Sequence, residues 1–140
     1  MPSLDAAEAH ARFAAARVAR MATVGTDGMP HVVPICFATF GDVVYSAVDA
    51  KPKRSPDLRR LRNIAANPRV ALLADHYDDE WTRLWWARAD GTARIVERDD
   101  PLRERAAELL AARYEQYRES PPEDRAVVID VERWSGWSWR

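Results

Sequence analysis

Lys51 and Lys53 are the only lysines in the chain, and they stand together in Lys51-Pro52-Lys53-Arg54-Ser55-Pro56 while arginine serves as the cation elsewhere. Residues 51–69 carry seven basic side chains against one acid, Asp57, in a protein whose formal net charge is −1. The positive charge is therefore local. Ser55-Pro56-Asp57-Leu58 reads as a helix start, with Ser55 as N-cap and Pro56 at the first helical position, where its missing N–H costs nothing. Unpaired N–H groups and the helix dipole at such a start favour a phosphate, and flexible lysines add point charges beside them. Arg59, Arg60 and Arg62 follow and could serve further negative groups. The competing reading is a solvated basic loop.

A second stretch, His31 to Phe40, is apolar on both alternating sets: Val33, Ile35 and Phe37 on one side, Val32, Pro34, Cys36 and Ala38 on the other. In a small barrel one face fills the interior, so the other must meet a helix, another subunit or a flat ligand. Pro34 removes a ladder donor, which places the strand at an edge or bulge. Main-chain groups on that open edge could bond the rim of a heterocyclic ring. An ordinary edge strand at a dimer interface fits the pattern equally well. Cys36, in an apolar strand without a basic neighbour, reads as a small core residue. His76, Asp78, Asp79 and Glu80 match no established ligand spacing, and no metal site is expected. Of the six tryptophans, Trp81, Trp85 and Trp86 fall in one expected hairpin, Trp81 and Trp85 sharing a face; packing and ligand stacking both suit them.

These residues need a scaffold. At 140 residues the chain is read as one domain, 1–140, able to bury a core without disulfides or metal. No apolar run approaches a membrane span, and arginines 12, 17 and 20 interrupt the alanine-rich start, so neither membrane insertion nor secretion is expected. One cysteine cannot form an internal disulfide, which fits the cytoplasm. A pI near 6.3 speaks against nucleic acid as partner and for one small anion. No nucleophile elbow, Walker loop or Gly-x-Gly-x-x-Gly occurs, so any cofactor must be held by other means.

Leu4, Ala7, Ala11, Ala14 and Val18 recur at helical spacing, predicting a first helix that ends near Arg20. Met21–Val24, Pro30–Phe40 and Val43–Val48 read as three strands of a meander, turned at Asp27-Gly28 and Gly41-Asp42. A helix over Ser55–Ala66 stops at Asn67-Pro68, because the residue before proline is pushed out of the α region. Arg69–Asp75 is the next strand, and Trp81–Ala89 and Thr92–Glu97 form a hairpin about Asp90-Gly91. Asp100-Pro101 opens a helix with Leu102, Ala106, Leu109, Leu110 and Tyr114 on one face, and Ala126–Val131 is a last β-rich run. Six or seven strands without βαβ alternation predict a mainly β fold, a barrel or closed roll with short helices.

Five segments in order, Arg17-Val-Ala-Arg-Met-Ala-Thr-Val-Gly, Asp27-Gly-Met-Pro-His-Val-Val-Pro, Val48-Asp-Ala-Lys-Pro-Lys-Arg, Asn67-Pro-Arg-Val-Ala-Leu-Leu and Asp90-Gly-Thr-Ala-Arg, resemble the pyridoxamine 5′-phosphate oxidase-like split β-barrel proteins. The Lys51 loop, Leu84-Trp-Trp-Ala-Arg and the closing Arg133-Trp-Ser-Gly-Trp are similar to the short actinobacterial-type subgroup of oxidoreductases that use the deazaflavin coenzyme F420. The resemblance runs from about Ala16 to Trp139. It implies a homodimer acting on a small-molecule substrate, with F420, or alternatively FMN, in grooves between subunits. Residues His31, Val32, Val33, Pro34 and Ile35 would lie along the ring, Tyr45 and Ser46 near its polar edge, and Lys51, Lys53, Arg54 and Ser55 at the phosphate. Trp81 to Trp85 of the partner would close the groove. No catalytic side chain is implied. The chain is shorter than true pyridoxamine phosphate oxidases and lacks their substrate-binding Arg-x-His segment, so the resemblance does not extend to vitamin B6 oxidation. A non-catalytic flavin or tetrapyrrole carrier would share the same fold.

Overall fold

The computed structural model describes residues 3–48 and 57–139. The strands are β1 (Ser3–Leu4), β2 (Ala19–Val24), β3 (Pro30–Ile35), β4 (Ala38–Phe40), β5 (Val43–Ala47), β6 (Arg69–His76), β7 (Trp85–Val96) and β8 (Ala126–Ser138). Four α-helices among the described residues join them: α1 (Ala6–Ala15), α2 (Asp57–Ala66), α3 (Pro101–Arg113) and α4 (Glu115–Glu119). The sheet runs β3-β2-β6-β7-β8-β5-β4, with β1 on β8, and every pairing is antiparallel. This is a mainly β split barrel with short helices, as the strand pattern and the resemblance predict. No helix among the described residues is long and apolar enough to cross a membrane.

The predicted meander is only half present. Residues 30–40 do not form one strand: β3 pairs with β2 at one end of the sheet, the chain breaks at Cys36 and Phe37, and β4 pairs with β5 at the other end. One short run thus supplies both margins of the barrel. Pro34 sits on the edge strand, opposite Arg20, where its missing N–H removes no outer ladder bond.

The predicted hairpin at Asp90-Gly91 is absent as well, because β7 runs unbroken through it for 12 residues. Gly91 lies where β7 and β8 shift register, and a Cβ there would stand 2.3 Å from the Asp130 carbonyl oxygen. The glycine serves a close backbone approach, not a turn. At Asp27-Gly28 the turn is real: Gly28 takes φ 76° and its N–H donates to the Gly25 carbonyl.

Among the helices, α1 starts at Ala6, capped by the Asp5 carboxylate, and ends at Ala15 rather than near Arg20. Its buried face is Ala9 and Phe13; Ala7, Ala11 and Val18 are exposed. Alanine lies on every side of this helix, so periodicity carries little contrast, and the one large apolar residue decides the packing. Phe13 meets Phe37 and Trp134 in the main core. Helix α3 begins as predicted, with the Asp100 side chain accepting from the Leu102 N–H and Pro101 in the first turn. It covers β5 and β8 through a cluster of Tyr45, Val96, Ala106, Ala126 and Val128. Val32, on the outer side of β3, is 60% exposed.

Candidate functional site: a cleft at the split of the barrel

Alternation along β3 sorts its residues. His31, Val33 and Ile35 share the side of buried Thr23, Met21 and Ala19, while Val32 and Pro34 point outward and are exposed. Cys36 continues the outward set. It is exposed rather than a core residue, because the strand ends just before it and the chain bends.

At that bend a cleft of about 240 Å³ opens, lined by Val18, Pro34, Ile35, Cys36, Ser46, Ala47, Arg60 and Tyr117. The Ser46 hydroxyl, buried, donates to the Cys36 carbonyl at 3.1 Å and ties β5 to the bend. Arg60 reaches the cleft from α2 and is only 3% exposed. The cleft therefore combines one guanidinium, a hydroxyl and a phenol with an apolar floor.

The bend is fastened from the far end of the sequence by the last turn of α3. Tyr114 accepts the Phe37 N–H at 3.2 Å, and its single hydrogen is shared between the carbonyls of Arg17 at 2.9 Å and Phe37 at 3.0 Å. Arg113 donates to the Phe37 carbonyl at 3.1 Å and to the Ala16 carbonyl. Its guanidinium also lies over the Phe37 ring at 4.7 Å. Burial pushes this guanidinium below the ordinary arginine value, Tyr114 opposing and Arg17 reinforcing the shift.

Of the residues chosen from sequence, the fold brings Pro34, Ile35, Ser46 and Arg60 to one cleft. Tyr45, next to Ser46, faces the other way into the α3 cluster, as strand alternation requires. His31 lies on the inner side of β3, and its Nε2 is buried without a hydrogen-bond partner among the described residues. Lys51, Lys53, Arg54 and Ser55 fall outside the described residues. Trp81 is in a 3-10 turn, not a strand, and is 64% exposed. Trp85 packs beside the main core with Arg12 of α1 above it, 5.7 Å from the ring centroid.

It is Trp86 that points outward, lining a groove of about 390 Å³ with Leu73, Asp75, Tyr77 and Arg88. Sequence reasoning left Trp86, Val18, Cys36 and Tyr117 out of the candidate site, although it set Trp86 on the face opposite Trp81 and Trp85. The first was readable from the alternation Trp86-Ala87-Arg88-Ala89, in which the alanines are the buried set. The other three enter the cleft through the bend at residue 36 and the return of α4, neither of which has a local signal.

A family model described as pyridoxamine 5′-phosphate oxidase matches residues 6–138. No curated protein matches the chain. Among solved structures, a FAD-binding protein from Mesorhizobium loti superposes with a TM-score of 0.73 at 23% identity, over 96% of this chain and 95% of that one. The haem storage protein HutZ from Vibrio cholerae gives 0.71 at 18%, over 96% and 95%. A FAD-binding protein from Mycobacterium smegmatis gives 0.66 at 21%, over 99% and 100%. At these identities the likeness is one of fold. The family match, in contrast, runs through every strand but β1, and the chain belongs to the pyridoxamine 5′-phosphate oxidase family.

Proposed function

We propose that this chain is a homodimeric, cytoplasmic oxidoreductase of one domain that holds a flavin-type cofactor at the split of the barrel, the deazaflavin F420 in preference to FMN. The observation that carries this reading is the meeting of the open β3 edge, Ser46 and buried Arg60 in one cleft. Residues 51–55 directly precede the helix that carries Arg60, so the basic run and this guanidinium belong to one connected stretch. The donor set suits such a group: a cation for its phosphate, main-chain groups at a sheet margin for a ring edge, and apolar Val18, Pro34 and Ile35 against a ring face. When bound, a flavin-type cofactor supplies a transferable hydride. The chain's own residues bind and orient it, exclude water through the apolar lining and, at Ser46, hold the bend through the hydrogen bond that the hydroxyl donates to the Cys36 carbonyl.

The relatives described as FAD-binding support a flavin-type ligand, and the haem storage relative keeps a non-catalytic tetrapyrrole carrier as the competing outcome. Titration with FMN, F420, FAD and haem, followed by absorption, separates them. Tightest binding of haem would replace the oxidoreductase reading, and FMN binding tenfold more tightly than F420 would reverse the cofactor ranking.

Pairing of two copies is supported by the cleft's size, which is below the roughly 300 to 1,000 Å³ of ordinary ligand pockets. The exposed apolar residues Val18, Met29 and Val32 also lack cover within one chain. Light scattering at micromolar concentration should give a dimer, and a monomer would remove the shared site.

Lys53→Ala and Arg54→Ala should each weaken cofactor binding by roughly tenfold, while cofactor-free stability stays within about 0.5 kcal/mol. Added salt should weaken wild-type binding more steeply than that of either variant. Wild-type affinity in both variants would make the run a solvated loop.

A further inference from the structure

We propose that the end of α3 sets the shape of this cleft, with Arg113 and its C-cap neighbour Tyr114 acting as positioning residues for whatever ligand lies against Val18 and Cys36. The inference rests on the cleft being the cofactor site. Its two walls leave the sheet at the points that matter: residues 16–18 precede β2, and residues 36 and 37 fall between β3 and β4. The β2–β3 ladder ends at the Ala19–Ile35 pair, and beyond it no further pair in the described sheet holds residues 16–18 to residues 36 and 37. The polar main-chain atoms on both walls, the carbonyls of Ala16 and Arg17 and the N–H and carbonyl of Phe37, converge on two adjacent side chains, Arg113 at the end of α3 and Tyr114 at its C-cap.

Arg113 spans the gap with its two terminal nitrogens, one to each wall, in a fixed planar fork whose geometry the point charge of an ammonium does not reproduce. Tyr114 does the same with one hydroxyl. Arg17 closes the loop by donating to the Arg113 carbonyl at 3.2 Å and lying over the Tyr114 ring at 4.9 Å. Three residues on, Tyr117 lines the cleft and meets the Tyr114 ring edge-on at 5.8 Å. Release of either side chain lets the two segments splay beyond the Ala19–Ile35 pair, and a ligand lying against Val18 and Cys36 loses its fit.

The only cysteine lies on one wall and reports this without any cofactor. In the cofactor-free protein, Tyr114→Phe and Arg113→Lys should change the rate of Cys36 alkylation by iodoacetamide by roughly threefold or more, since local opening governs access. Both should also weaken FMN binding by about tenfold, the loss of one well-placed charge-assisted or buried hydrogen bond. Val96→Ala, which opens a small cavity in the cluster beyond the other end of α3, serves as the control for general destabilisation. It should leave the alkylation rate and FMN affinity at wild-type values. Unchanged Cys36 reactivity in both clamp variants, or an equal change in Val96→Ala, overturns the proposal. If the wild type binds neither FMN nor F420, the cofactor reading falls, and the thiol rates still decide whether the clamp sets the cleft.

Discussion

Arg60→Met is expected to raise the dissociation constant of a phosphate-bearing flavin by roughly 10- to 150-fold, the equivalent of about 1.5 to 3 kcal/mol for a charge-assisted contact. The size follows from burial. A guanidinium 3% exposed is shielded from competing water and counter-ions, so its attraction for an anion is less screened than that of a surface cation. Arg60→Lys should fall between wild type and methionine, because it keeps the charge and loses the planar donor fork. Fluorescence titration of the flavin measures all three, with cofactor-free melting temperatures as the control for folding. Wild-type affinity and salt dependence in Arg60→Met would mean that Arg60 is a structural residue and that any anion is held elsewhere.

The largest effect on stability is expected at Phe13. Its side chain is fully buried, 4.8 Å from the Phe37 ring and 5.4 Å from that of Trp134. With Ala9 it forms the buried face of α1. Phe13→Ala should cost about 3 to 5 kcal/mol and lower the melting temperature by roughly 10 °C or more. Ala7→Ser, on a face that spacing alone would have buried, should stay within about 0.5 kcal/mol. Urea unfolding of the two variants tests both statements. A loss at Ala7 comparable to that at Phe13 would show that α1 packs by the other stripe.

What the sequence made legible was local. The Asp100-Pro101 helix start, the Asp27-Gly28 turn and the stop before Pro68 each depend on the conformational limits of one or two residues, and each stands where expected. Pro34 went further, since a missing donor correctly marked an edge strand before any partner was known. The failures share a cause of the opposite kind. Gly91 looks like a turn residue, yet its role is set by the Asp130 backbone on β8. The break at Phe37 is fixed by Tyr114, far along the chain. In the cleft, Pro34, Ile35, Ser46 and Arg60 were within reach because edge position, strand parity and basic charge are sequence properties. Tyr45 was chosen with Ser46 although adjacent strand residues face opposite sides, and Tyr117 depends on where α4 returns.

That one run of chain forms both margins of the sheet has a kinetic consequence. The pairings that build the barrel, β2 with β6 and β5 with β8, join segments far apart in sequence, so loop closure governs the folding rate and places the protein among slow, millisecond-to-second folders. Each margin is a local hairpin, β2 with β3 and β4 with β5, so what waits for the two halves to meet is the corner between them at Cys36 and Phe37, which is the closing seam. A ligand seated at that seam binds only the finished barrel and draws the folding equilibrium toward it by mass action. A cofactor held there, as proposed, would add its binding energy to the last contacts the fold makes.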